Sequence, residues 1–93
     1  MAGHRLYTMD DLQLAITFIN RNPAAYNAYC EAVKAYFSKS RDICNDRGAL
    51  FYVAESGSAE SFMRFDSAVA DKFIVITEKI FGKDWHINGI RFK

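Results

Sequence analysis

The sequence predicts an α+β fold: an αα-hairpin and a third helix packed on one face of a small antiparallel sheet, in the order α-α-β-β-α-β. Three observations predict it. Apolar residues recur at helical spacing near 9–20, 23–44 and 67–81. Short apolar, aromatic runs at 49–54 and 87–92 suit strands. Helix and turn punctuation stands between them, at Thr8, Asn22, Gly48, Asp66 and Gly82. With 93 residues, 51% of them apolar and 15% aromatic, the chain supports one domain, 1–93, around one core.

The first helix begins at Thr8-Met9-Asp10-Asp11. The hydroxyl accepts from the next turn, and the two acids face the positive end of the helix dipole. Met9, Leu12, Ile16 and Ile19 then share one face, with Leu14 and Phe18 elsewhere on the cylinder. Asn20-Arg21-Asn22 ends it. Asn22-Pro23 starts the second helix, where Pro costs no hydrogen bond. That helix should reach Ser40 or Cys44, with Tyr26, Tyr29, Cys30, Val33, Tyr36 and Phe37 on one face. Ala28, Ala32 and Ala35 form a small strip that lets the first helix approach closely.

Gly48 is read as a helix breaker, and Ala49–Ala54 (ALFYVA) as the first strand. Ser56-Gly57-Ser58 turns the chain, and Ser61–Phe65 returns it as the second strand of a hairpin. A helix starting at Ser58 is the competing reading, because Phe62, Phe65, Val69, Phe73, Ile76 and Ile80 also fit a helical stripe. The third helix, Ser67 to Phe81, runs from Asp66 to the terminator Gly82. Trp85 to Phe92 reads as the last strand, and Arg5-Leu6-Tyr7 can add a short leading one.

Charge narrows the function only a little. The net charge is +1, short of the basic excess of a dedicated nucleic-acid binder. It is unevenly spread: residues 34–47 and 72–93 are basic, and 55–71 acidic. No apolar run suits a bilayer, and no signal peptide is expected before Asp10 and Asp11. Cys30 and Cys44 are expected as free thiols in a reducing, cytoplasmic setting. His4, His86, Cys30 and Cys44 match no zinc spacing, and Cys44 with His86 lacks an orienting third group. Asp10 and Asp11 are first-turn helix acids, and no phosphate-binding glycine loop occurs. No metal, cofactor or catalytic set is expected, and the chain is read as not an enzyme.

The aromatic load is the remaining lead, because Tyr and Trp are enriched at binding hot spots. Tyr26, Tyr29, Tyr36 and Trp85 are the candidate anchors, with Lys39, Arg41 and Arg91 as candidate charged contacts; the competing reading places the tyrosines at the core edge with hydroxyls at solvent and makes Trp85 a lid on the core. The expected function is a small interaction protein that binds and modulates, by inhibition, a larger protein or complex. In size and character it is like a phage-encoded inhibitor of host machinery or host defence. The alternative is a nucleic-acid-binding domain using the basic 34–47 and C-terminal segments. A homodimer is compatible with either, and no membrane partner is expected.

Overall fold

The computed structural model describes residues 7–38, 46–90 and 92, and every regular element among them is helical. The order is α1 (Met9–Arg21), α2 (Pro23–Ser38), α3 (Asp46–Ser56), a 3-10 helix (Ala59–Arg64), α4 (Ser67–Phe81) and α5 (Trp85–Asn88). No described helix is long and apolar enough to cross a membrane. The antiparallel sheet, and with it the α+β class, is therefore corrected: no strand occurs among the described residues.

The start signals of α1 and α2 and the stop signal of α4 hold, and α4 begins after Asp66 as expected, though the Asp66 side chain makes no capping hydrogen bond. Thr8 Oγ1 accepts from the Asp11 N–H at 3.2 Å, and Asp11 Oδ2 accepts from the Thr8 N–H at 2.9 Å. This reciprocal pair satisfies two otherwise orphaned donors. Leu12, Ala15, Ile16 and Ile19 are buried, while Met9 and Leu14 are exposed. The expectation that Met9 belongs to the core face is thus corrected. Asn22 alone separates α1 from α2, and its Oδ1 accepts from the Ala25 N–H at 3.2 Å. On α2 the buried residues are Ala25, Tyr29 and Val33. Ala35, from the expected alanine strip, is exposed. α2 ends at Ser38; its expected extension to Ser40 or Cys44 lies outside the described residues. α4 spans the expected range and stops at Gly82, whose φ of 97° is closed to residues with a side chain. Its N–H donates to the Glu78 carbonyl at 2.9 Å.

The first expected strand is α3. Ala49, Leu50, Val53 and Ala54 are buried, whereas Phe51 is half-buried and Tyr52 exposed. That pattern follows the helical repeat of 3.6 and not the strand repeat of two. The physical reason is partnership. A strand must find another strand to satisfy its backbone, while a helix satisfies its own. Here α1 supplies what α3 leaves open. Asn20 Nδ2 donates to the carbonyls of Ala54 and Glu55 at 2.9 and 3.4 Å. Gln13 Nε2 donates to the Gly57 carbonyl at 2.9 Å, and its Oε1 accepts from the Ala59 N–H at 2.8 Å. Gly57, at φ 71°, turns the chain between these contacts.

The expected return strand, Ser61–Phe65, is also corrected. Ser58 starts a helical segment where the competing reading began its helix, but the chain is extended at Phe65, so the single stripe from Phe62 to Ile80 is broken there. The Ser58 hydroxyl accepts from the Glu60 N–H at 3.3 Å, and the segment is a 3-10 helix that buries Ala59, Ser61 and Phe62. The expected last strand gives way to one helical turn, Trp85–Asn88, ended by Gly89 at φ 91°. Ile90 and Phe92 pack against the core. Of the leading strand, Arg5 and Leu6 lie outside the described residues, and Tyr7 belongs to no strand.

Gly48 does not break a helix; it sits exposed in the first turn of α3, with nothing within 4 Å of where a Cβ would stand. Gly48→Ala is therefore expected to stabilise the protein by about 0.5–1 kcal/mol. Urea unfolding measures this. A loss of stability would mean that the glycine serves a turn and that α3 begins later.

Candidate interaction surface

Two of the four aromatic candidates, Tyr29 and Trp85, are buried. Tyr29 has no exposed surface; its hydroxyl donates to the Leu50 carbonyl at 2.7 Å, and its ring lies 5.8 Å from Phe73. Burial pushes its phenol well above the ordinary range, with Cys30 and Tyr26 adding to the shift. Trp85 is 1% exposed, packed against Phe81 and Tyr7. Neither ring is available to a partner in this arrangement. Tyr26 is half-buried, and its hydroxyl donates to Glu55 Oε2 at 3.2 Å. Burial, then the Cys30 thiol and Glu55, leave its phenol pushed up to about 12. Tyr36 is half-buried against Phe37, with ring centroids 5.1 Å apart. Cys30 is half-buried on α2 and carries a free thiol. Lys39, Arg41, Cys44 and Arg91 lie outside the described residues.

Polar groups converge at one corner, where the segment before α1 meets α4 and α5. Tyr7 donates to Glu78 Oε2 at 2.5 Å, and its ring lies 4.0 Å from that of His86. Burial raises the Tyr7 phenol, and the Glu78, Asp11 and Asp84 carboxylates raise it further. Trp85 Nε1 and His86 Nδ1 are buried without a hydrogen-bond partner among the described residues. An open cleft of about 210 Å³ lies alongside, lined by Phe81, Lys83, Asp84, Trp85 and Asn88 among others. Small-molecule sites enclose about 300–1,000 Å³, so this cleft is undersized for one. Among the described residues, no three His, Cys, Asp or Glu side chains converge as metal ligands.

The surface with binding character lies elsewhere, where α3 meets the 3-10 helix. Tyr52 is 42% exposed and packs edge-on against Phe65, with centroids 5.9 Å apart. The Arg64 guanidinium carbon stands 5.6 Å from the centre of the Tyr52 ring. Met63, the preceding residue, is 80% exposed. Tyr, Phe, Met and Arg are the residue types enriched at protein interfaces. The sequence reading missed these residues because it placed them in a hairpin. The signal was present: on a helical wheel Tyr52 falls opposite Leu50, Val53 and Ala54.

Comparison of the chain with protein-family models, with curated proteins and with solved structures finds no match. The reading of this surface therefore rests on its own chemistry.

Proposed function

We propose that this chain is a non-catalytic interaction domain that binds a larger protein and modulates it, by inhibition, in a reducing cytoplasmic setting. The observation that carries the reading is the cluster of exposed Tyr52 and Arg64 on half-buried Phe65, with exposed Met63 next in the chain. Exposed large apolar side chains cost solubility and mark contact sites when they cluster. An arginine over an aromatic ring is a pairing that binding hot spots use. Glu55, Glu60 and Asp66 stand exposed in the same stretch, which disfavours a phosphate backbone there and favours a protein face.

The test is a retention experiment from nuclease-treated lysate with the wild type and a Tyr52→Ala/Arg64→Ala double variant. A protein held by the wild type and lost by the variant, at unchanged melting temperature, is the expected result. Retention of nucleic acid alone, with affinity falling steeply as salt rises, would refute it.

A further inference from the structure

Arg64 carries information about what the surface takes. Its guanidinium lies within cation–π reach of Tyr52, and it forms no ion pair with a described carboxylate. Yet Glu60 and Asp66 are close neighbours in the chain, both exposed, and the Asp66 side chain makes no capping hydrogen bond. The arginine is thus steadied by a ring and not by an acid. A guanidinium held this way loses part of its rotamer freedom while keeping its planar fork of donors for an incoming pair of oxygens. Tyr52 and Phe65 supply a rigid apolar floor, and Met63 a side chain that adapts to shape. Glu55, Glu60 and Asp66, all exposed, stand close to these residues in the chain.

We infer that this surface binds a protein segment presenting one Asp or Glu carboxylate to Arg64 beside a large apolar side chain on Tyr52 and Phe65, with Lys or Arg at its flanks. The inference rests on the interaction reading and specifies the partner's chemistry. Charge complementarity selects this occupant. One acid matches the one arginine, and basic flanks match the exposed acids that neighbour it in the chain. A nucleic-acid strand, with a negative charge at every nucleotide, meets three acids for each arginine.

A random peptide library displayed on phage, panned against the full immobilised chain, tests it. Enriched peptides are expected to carry an Asp or Glu next to Leu, Phe, Met or Trp, with flanking Lys or Arg. They should shift the backbone amide resonances of residues 52 and 63–65. Arg64→Ala should weaken a synthetic copy of the best peptide by about thirtyfold. Arg64→Lys should recover only part of that loss, because an ammonium lacks the fork. Thermal melting of each variant guards against a folding defect. Enriched peptides that shift these resonances but lack an acid, or survive Arg64→Ala, overturn the partner chemistry and leave the interaction reading standing. Failure to enrich any peptide that reaches residues 52 and 63–65 overturns both. Self-association in sedimentation, lost in Tyr52→Ala, gives the surface to a second copy and also overturns the inference.

Discussion

Tyr29→Ala is expected to destabilise the protein by about 3–5 kcal/mol, because it removes a fully buried ring and leaves a cavity. At this chain length each kcal/mol moves the melting temperature by about 4–8 °C, so calorimetry reads the effect directly. The ring stands where α2, α3 and α4 meet, touching Phe73 and donating to the Leu50 carbonyl. Tyr29→Phe keeps the ring and loses that hydrogen bond, at a cost of about 1 kcal/mol near neutral pH. The Phe variant also has a pH signature. Burial holds the Tyr29 proton above the ordinary phenol value of about 10, so the folded state binds it more tightly than the unfolded chain does. That contribution is fully present below the unfolded value and is lost as pH rises above it. The stability gap between wild type and Tyr29→Phe should therefore narrow above pH 10. A constant gap would place the hydroxyl in water. An unchanged melting temperature for Tyr29→Ala would return Tyr29 to the list of surface anchors.

Trp85→Ala is the second large effect, again about 3–5 kcal/mol. Trp85 is the chain's single tryptophan, so its fluorescence reports this corner alone. Emission should be blue-shifted and shielded from acrylamide in the native protein, and move to the solvent-exposed range on unfolding. Trp85→Phe should cost clearly less than Trp85→Ala. It keeps an aromatic ring against Phe81 and Tyr7 and removes an indole N–H that is buried without a partner among the described residues. Native emission typical of solvent-exposed indole would show that the corner is open and that Trp85 is a contact residue after all.

These expectations mark where reading by residue type stopped. Tyr26, Tyr29 and Tyr36 were grouped as one helical face, and they are one. Tyr29 is the member that meets Phe73 and Leu50, whereas Tyr26 and Tyr36 lie at the edge of the core. Nothing within α2 distinguishes the three, since depth depends on what stands opposite. Trp85 illustrates the same gap: its polar neighbours Lys83, Asp84 and His86 suggested exposure, and the packing of Phe81 and Tyr7 buried it. Conversely, Tyr52, Arg64 and Phe65 were assigned to strands and so escaped notice as a surface.

Three boundaries follow from local sequence alone: the start of α1, the junction between α1 and α2, and the C-terminal end of α4. Those signals act over three or four residues: the Thr8–Asp11 pair, Asn22-Pro23, and Gly82 after Phe81. Their partners lie within the same turn, so these bonds need no distant residue. The state of 49–65 was decided only by tertiary structure. Six apolar residues fit a strand or a buried helix equally well. The balance was tipped from far along the chain, by Gln13 and Asn20 on the carbonyls that close α3 and by Tyr29 on Leu50. Intrinsic preferences among those residues differ by tenths of a kcal/mol, about the scale of a single satisfied hydrogen bond or less. Several such bonds, formed with residues more than twenty positions away, outweigh local preference and are invisible until the chain has folded.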